Sequence, residues 1–189
     1  VVYVDSHDYS PDTSQTVRYN GGTQAWAENM SLMFTFRGIP CLYYGSEIEF
    51  QAGMVIDVGP NTALANTGRA YFGENIEGTV TATDFGEYTA SGKVQSTLNS
   101  TLSQHLIKLN KIRRAVPALQ KGQYASVGDM CFKRGYTDPE TGEKSFACVA
   151  VTNGATFSGI PNGTYIDAVT GVFDALVLLV HCSQPPRSI

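Results

Sequence analysis

The chain has 189 residues, 42% of them hydrophobic and 16% charged, a balance that supports a buried core and excludes an intrinsically disordered polypeptide. Its formal net charge of −4 leaves no basic footprint for nucleic acid. No run reaches the roughly 18 apolar residues of a membrane helix, the dense stretch at residues 175–180 being far shorter, so neither nucleic acid nor membrane is expected as a partner.

Residues 1–4, Val-Val-Tyr-Val, read as a buried strand that ends abruptly at His7-Asp8. They begin directly on that pattern, without the charged start or small-residue cleavage site of a signal peptide. Residues 9–22 are polar, with Pro11 and a Gly21-Gly22 pair, and read as a loop. Thr23 is placed to cap a helix, behind which Trp26, Met30, Met33 and Phe34 recur at helical spacing. Arg37-Gly38 ends that helix, with Gly38 supplying the left-handed residue beyond the last turn. Residues 40–44, Pro-Cys-Leu-Tyr-Tyr, form a second buried strand that again stops at polar groups, Ser46 and Glu47.

Residues 46–96 are rich in Gly, Asn, Thr and Asp and hold no sustained period; they read as a functional loop excursion at a strand end. Helical period returns at Leu98, Leu102, Leu106, Leu109 and Ile112. Lys108, Lys111, Arg113 and Arg114 gather in its last turns, where the helix dipole favours cations, and Val116-Pro117 stops it. Beyond Gln120 the texture changes to apolar or alternating runs at 124–127, 130–134, 146–151 and 165–169. Turn residues separate them, among them the hairpin-type pairs Asn153-Gly154 and Asn162-Gly163, so a small antiparallel β domain is expected. Cys41, Cys131, Cys148 and Cys182 lack metal-ligand spacing and read as free, mostly buried thiols; no metal site is expected in this chain.

A strand ending in chemistry, a helix, and a second such strand is the grammar of a β/α barrel, whose active site lies at the C-terminal ends of its strands. The order of these motifs resembles the last third of an α-amylase-type glycoside hydrolase, a (β/α)8 enzyme acting on starch. Val4-Asp5-Ser6-His7-Asp8 resembles that family's conserved stretch at the seventh strand, and Gly38-Ile39-Pro40-Cys41-Leu42-Tyr43-Tyr44-Gly45 the stretch at the eighth. The fold class so implied is α/β plus all-β: residues 1–117 as the last two βα units of a TIM barrel, and residues 118–189 as a small antiparallel β-sandwich. Residues 101–115 would be the eighth barrel helix.

The resemblance implies that Asp8 is the carboxylate that grips two hydroxyls of the sugar at the cleavage point and favours its distorted form, with His7 donating a hydrogen bond to the same sugar. It implies an α-glucan such as starch or maltodextrin as substrate, calcium in the complete enzyme, and secretion by analogy. Ser6 stands where chloride-dependent members carry a ligating Asn, which argues against chloride activation. The family's nucleophilic Asp, acid/base Glu and calcium ligands belong to earlier strands, so the chain alone is not expected to cleave a glycosidic bond.

Other residues carry plainer expectations. Tyr43 and Tyr44 divide between barrel packing and the barrel mouth, Glu47 is a supporting hydrogen-bond partner, Trp26 is core, and His105 is a helix residue without a role. Arg18 could steady a carboxylate, but a lone loop arginine is usually solvated. The tail beyond Phe173 does not read as a closing hairpin, and the run at 175–180 would be an aggregation-prone strand if unpaired. The alternative to an enzyme fragment is a non-catalytic glucan-binding or structural module, with Tyr124, Phe132, Tyr136, Phe146 and Tyr165 as ring surfaces that fit strand packing equally well.

Overall fold

The computed structural model describes residues 1–8, 16–56, 59–84, 87–152, 154–170 and 179–182, with residues 84 and 179–182 described by their backbone. The chain divides into two units, Val1–Met30 with Pro40–Lys108, and Ser31–Ile39 with Leu109–Ile189. The boundary falls inside two helices, α1 (Thr23–Thr35) and α3 (Thr101–Ala115).

In the first unit the two expected strands meet at a single parallel bridge, Val2 with Pro40, closed by Cys41 N–H donating to the Val2 carbonyl at 2.8 Å. Longer strands at 1–4 and 40–44 do not form, because a ladder needs a partner at successive residues and only this register position has one among the described residues. The chain leaves the first segment, passes through α1 and returns parallel at this one bridge. Thr23 is not the cap of α1. Gly22, at φ 93°, holds that position, its carbonyl accepting Trp26 N–H at 3.0 Å. Thr23 Oγ1 instead donates to Glu49 Oε2 at 2.7 Å. Trp26 and Met30 are buried, as expected of the apolar face. Trp26 stacks on Tyr19 with ring centroids 4.4 Å apart and donates its indole N–H to the Ser46 carbonyl at 2.9 Å.

The stretch 46–96 is not structureless. It holds short 3-10 turns at Ser46–Ile48, Leu64–Asn66 and Gly73–Ile76, an antiparallel hairpin of β1 (Gly78–Asp84) and β2 (Glu87–Gly92), and the short helix α2 (Lys93–Leu98). Helix α3 follows after a break at Asn99-Ser100, where Ser100 Oγ accepts Ser103 N–H at 3.2 Å as an N-cap. Its Leu102 and Leu106 are buried. His105 places Nε2 3.2 Å from the Ala27 carbonyl, and burial pulls the imidazole below the usual histidine range.

In the second unit, α4 (Pro117–Lys121) leads into a five-stranded antiparallel sheet of order β3-β4-β5-β7-β6. The strands are β3 (Gln123–Gly128), β4 (Cys131–Thr137), β5 (Lys144–Ala150), β6 (Ile166–Asp167) and β7 (Leu179–Cys182). Leu119, Phe132, Ala147 and Val149 form its core with Ile112 and Val116. The strand expected at 165–169 shrinks to two residues because the Asp167 carboxylate accepts Val169 N–H at 2.8 Å and turns the chain. Within the tail, β7 is paired on both edges, by β5 and β6. Asn153, the rest of the tail and residues 9–15 of the first loop lie outside the described residues. Cys131 and Cys148 are buried, while Cys41 is exposed. No helix among the described residues is long and apolar enough to cross a membrane.

Candidate functional site

The first segment ends with its polar groups on different footings. Asp5 is buried at 4% exposure, and Ser46 Oγ donates to its Oδ2 at 2.6 Å. Burial raises the Asp5 carboxyl above its ordinary range, against the pull of the Ser46 hydroxyl and the Arg18 charge. The two residues after Ser6 turn outward. His7 Nε2 lies 3.3 Å from Asp8 Oδ1, and the two side chains are 66% and 64% exposed. Asp8 N–H donates to Ser6 Oγ at 3.0 Å, which tightens the turn that presents them.

Beneath them runs a buried polar layer. Arg18, expected to be solvated, is only 2% exposed. Its guanidinium lies 4.4 Å from the Tyr43 ring centroid and donates through Nη2 to the Tyr44 carbonyl at 2.9 Å. Tyr43 and Tyr44 meet edge to face at 4.6 Å. Burial, with Tyr44 beside it, pushes the Tyr43 phenol up to about 12. Glu47 is half-buried, and burial raises its carboxyl, opposed by the backbone amides of Glu47 and Gly45 and by the Arg18 charge. Its carbonyl accepts the hydroxyls of Ser100 at 3.1 Å and Ser103 at 3.2 Å. Arg18 Nη1 and Glu47 Oε2 find no hydrogen-bond partner among the described residues.

The residue that sequence reasoning missed is Arg69. Its Nε and Nη2 donate to the His7 carbonyl at 3.1 and 2.9 Å, and Nη2 lies 3.5 Å from Asp8 Oδ1. It comes from a Gly- and Asn-rich stretch that offers no pattern to mark it. The sequence places His7, Asp8, Tyr44 and Glu47 after two apolar segments, which the structure joins by the Val2–Pro40 bridge. It did not reveal that Asp5 and Arg18 are the buried members.

No protein-family model matches the chain, and no curated protein matches it. Among solved structures it is similar to the maltogenic amylase from S. marinus, with TM-score 0.53 and 14% identity over 95% of this chain and 22% of that one. It is also similar to gamma-CGTase from alkalophilic Bacillus clarkii, with TM-score 0.52 and 16% identity over 96% of this chain and 26% of that one. Both are α-amylase family enzymes. The likeness is one of fold. The chain spans about a quarter of the length of these proteins.

Proposed function

We propose that this chain is part of an α-glucan-active enzyme of the α-amylase type, in which Asp8 and His7 meet the sugar at the cleavage point. The observation that carries this reading is the open His7-Asp8 pair at the end of a segment bridged in parallel to the next. The end of a barrel strand is where a β/α enzyme binds its substrate. The fold shared with two amylase-family enzymes supports the same assignment. Residues 1–117 then supply the last two βα units of the barrel, and residues 118–189 a β domain whose role is structural. We also assign the enzyme to the extracellular space, where a starch polymer is met.

The chemistry follows from the groups present. Glycoside cleavage passes through a flattened, oxocarbenium-like ring flanked by carboxyl groups. A carboxylate presents two oxygens to two hydroxyls of that ring, and such bonds strengthen as the ring distorts, so Asp8 favours the transition state over the ground state. An imidazole N–H at His7 orients the same sugar. The nucleophile and acid/base are assigned to other parts of the enzyme. Among the described residues no three His, Cys, Asp or Glu side chains come together as a metal site. We assign the calcium of the complete enzyme to donors elsewhere.

The test is substitution in the complete polypeptide that carries this chain, assayed on maltoheptaose. Asp8→Asn should lower kcat by about a thousandfold, the scale of losing one preorganised transition-state contact. His7→Asn should cost about ten- to a hundredfold. Asp8→Asn activity within about threefold of wild type would remove the assignment, since that is under 1 kcal/mol of transition-state stabilisation.

A further inference from the structure

The long loop after the second segment returns to the first at residues 67–70. Thr67 and Ala70 are buried, at 1% and 4% exposure. The Thr67 hydroxyl donates to the Leu64 carbonyl at 2.9 Å and accepts Arg69 N–H at 3.1 Å. Gly68 N–H donates to the Val55 carbonyl at 2.8 Å. A Cβ on Gly68 would stand 2.7 Å from Arg18 Cγ, so a glycine is what lets the backbone lie directly on the buried arginine. The strap thus built is tied to both strand ends. Arg69 grips the His7 carbonyl through two bonds, and the Ala70 carbonyl accepts the Tyr44 hydroxyl at 3.0 Å.

We propose that Arg69 is a positioning residue for the His7-Asp8 pair. This rests on the reading of that pair as the sugar-contacting site. Exposed side chains are not oriented by packing, and His7 and Asp8 are mostly exposed. Their geometry therefore depends on the peptide that carries them. A planar guanidinium making two bonds to one carbonyl fixes that peptide plane in a way a point charge does not. The 3.5 Å approach of Nη2 to Asp8 Oδ1 is at the limit of a hydrogen bond and acts as charge attraction, drawing the carboxylate to one side. Reaction rates are steep in such placement, an error near 1 Å costing about a hundredfold. The loop is thereby part of the site: if residues 67–70 lift away, the pair loses its anchor.

The experiment compares wild type, Asp8→Asn, Arg69→Met, Arg69→Lys and the Asp8→Asn/Arg69→Met double variant in the complete polypeptide, with maltoheptaose as substrate. Arg69→Met should lower kcat by about ten- to a hundredfold while KM stays within about threefold. Arg69→Lys should stay impaired, because an ammonium keeps the charge but not the fork. The double variant should be slower than Asp8→Asn by less than the full Arg69→Met factor, since part of what Arg69 positions is the Asp8 carboxylate. Wild-type kcat in Arg69→Lys, or a double variant that loses the full Arg69→Met factor again, would overturn the assignment. Should Arg69→Met fail to fold by circular dichroism, Arg69→Lys decides. An inactive Asp8→Asn beside a fully active Arg69→Met would sink the role of Arg69 alone, whereas a fully active Asp8→Asn would sink the reading beneath it.

Discussion

Replacing Ser46 by Ala deletes one hydroxyl and little volume, which makes it a clean probe of the layer below the site. The hydroxyl donates to Asp5 Oδ2 at 2.6 Å, and both residues are buried, at 2% and 4% exposure. No cavity of consequence opens, so the cost is that of a buried carboxyl losing a donor. For a hydrogen bond to a charged group that is about 1.5–3 kcal/mol, and for a neutral pair about 0.5–1.5 kcal/mol. Burial raises the Asp5 carboxyl in the folded chain, so the folded state holds the proton to higher pH than the unfolded state. The stability this contributes is complete below the unfolded value and is lost as pH rises through the folded one. The Ser46 bond opposes the shift, and removing it raises the folded value further. Ser46→Ala should therefore cost most at neutral pH and least in acid, where Asp5 is neutral in both forms. Urea unfolding of wild type and variant at about pH 7 and about pH 3, with equal slopes, measures this directly. A penalty below about 0.5 kcal/mol at neutral pH, or one that grows in acid, would refute the reasoning.

Two further outcomes are expected. Arg113 donates to the carbonyls of Phe34, Leu119 and Gly38, and Arg134 to those of Thr35 and Gly122. Each Met substitution should cost about 2–3 kcal/mol in urea unfolding, and the double variant more than the sum, because burial and the neighbouring Arg113 work against the Arg134 charge and each single variant is offset by relief of that one repulsion. Strict additivity would show that the two guanidiniums do not feel one another. The Cys148 thiol is pushed up to about 11, chiefly by burial, while Cys41 is exposed. Iodoacetamide at about pH 8 should then label Cys41 in the folded chain and Cys148 only after unfolding, as read by peptide mass mapping; equal labelling of both would contradict the fold.

What was legible in the sequence was whatever one-sided burial had written there. Helices α1 and α3 each bury a stripe, and Trp26, Met30, Leu102 and Leu106 mark it. Strands β4 and β5 hold Phe132 and Val149 in the core between turn residues, so both pattern and punctuation survive. The hairpin β1–β2 was invisible for the converse reason. Thr79, Val80 and Thr81 are all exposed, so neither face selects apolar residues and no alternation forms. At the site, His7-Asp8 could be found because it is contiguous and closes an apolar run. Asp5 could not be matched to Ser46, 41 residues away, nor Arg69 to His7, 62 residues away. Contacts at such separation obey geometry that no local spacing encodes.

That separation bears on how the site is held. In a sheet, neighbouring strands keep register through a ladder of backbone bonds, each replaceable by the next. Here one bridge, Val2 with Pro40, joins the two segments that carry the site. Side chains do the remaining work: Ser46 on Asp5, Arg18 on the Tyr44 carbonyl, Tyr44 on the Ala70 carbonyl, Arg69 on the His7 carbonyl. The Ser46–Asp5 bond is buried, those of Arg18 and Tyr44 are part-buried and those of Arg69 are exposed; the cost of losing a partner is greatest at the buried bond, where the orphaned group stays out of water. It follows that the exposure of His7 and Asp8 and the burial of Asp5 and Arg18 are one arrangement. The chain leaves two polar groups open by committing the neighbouring ones to structure.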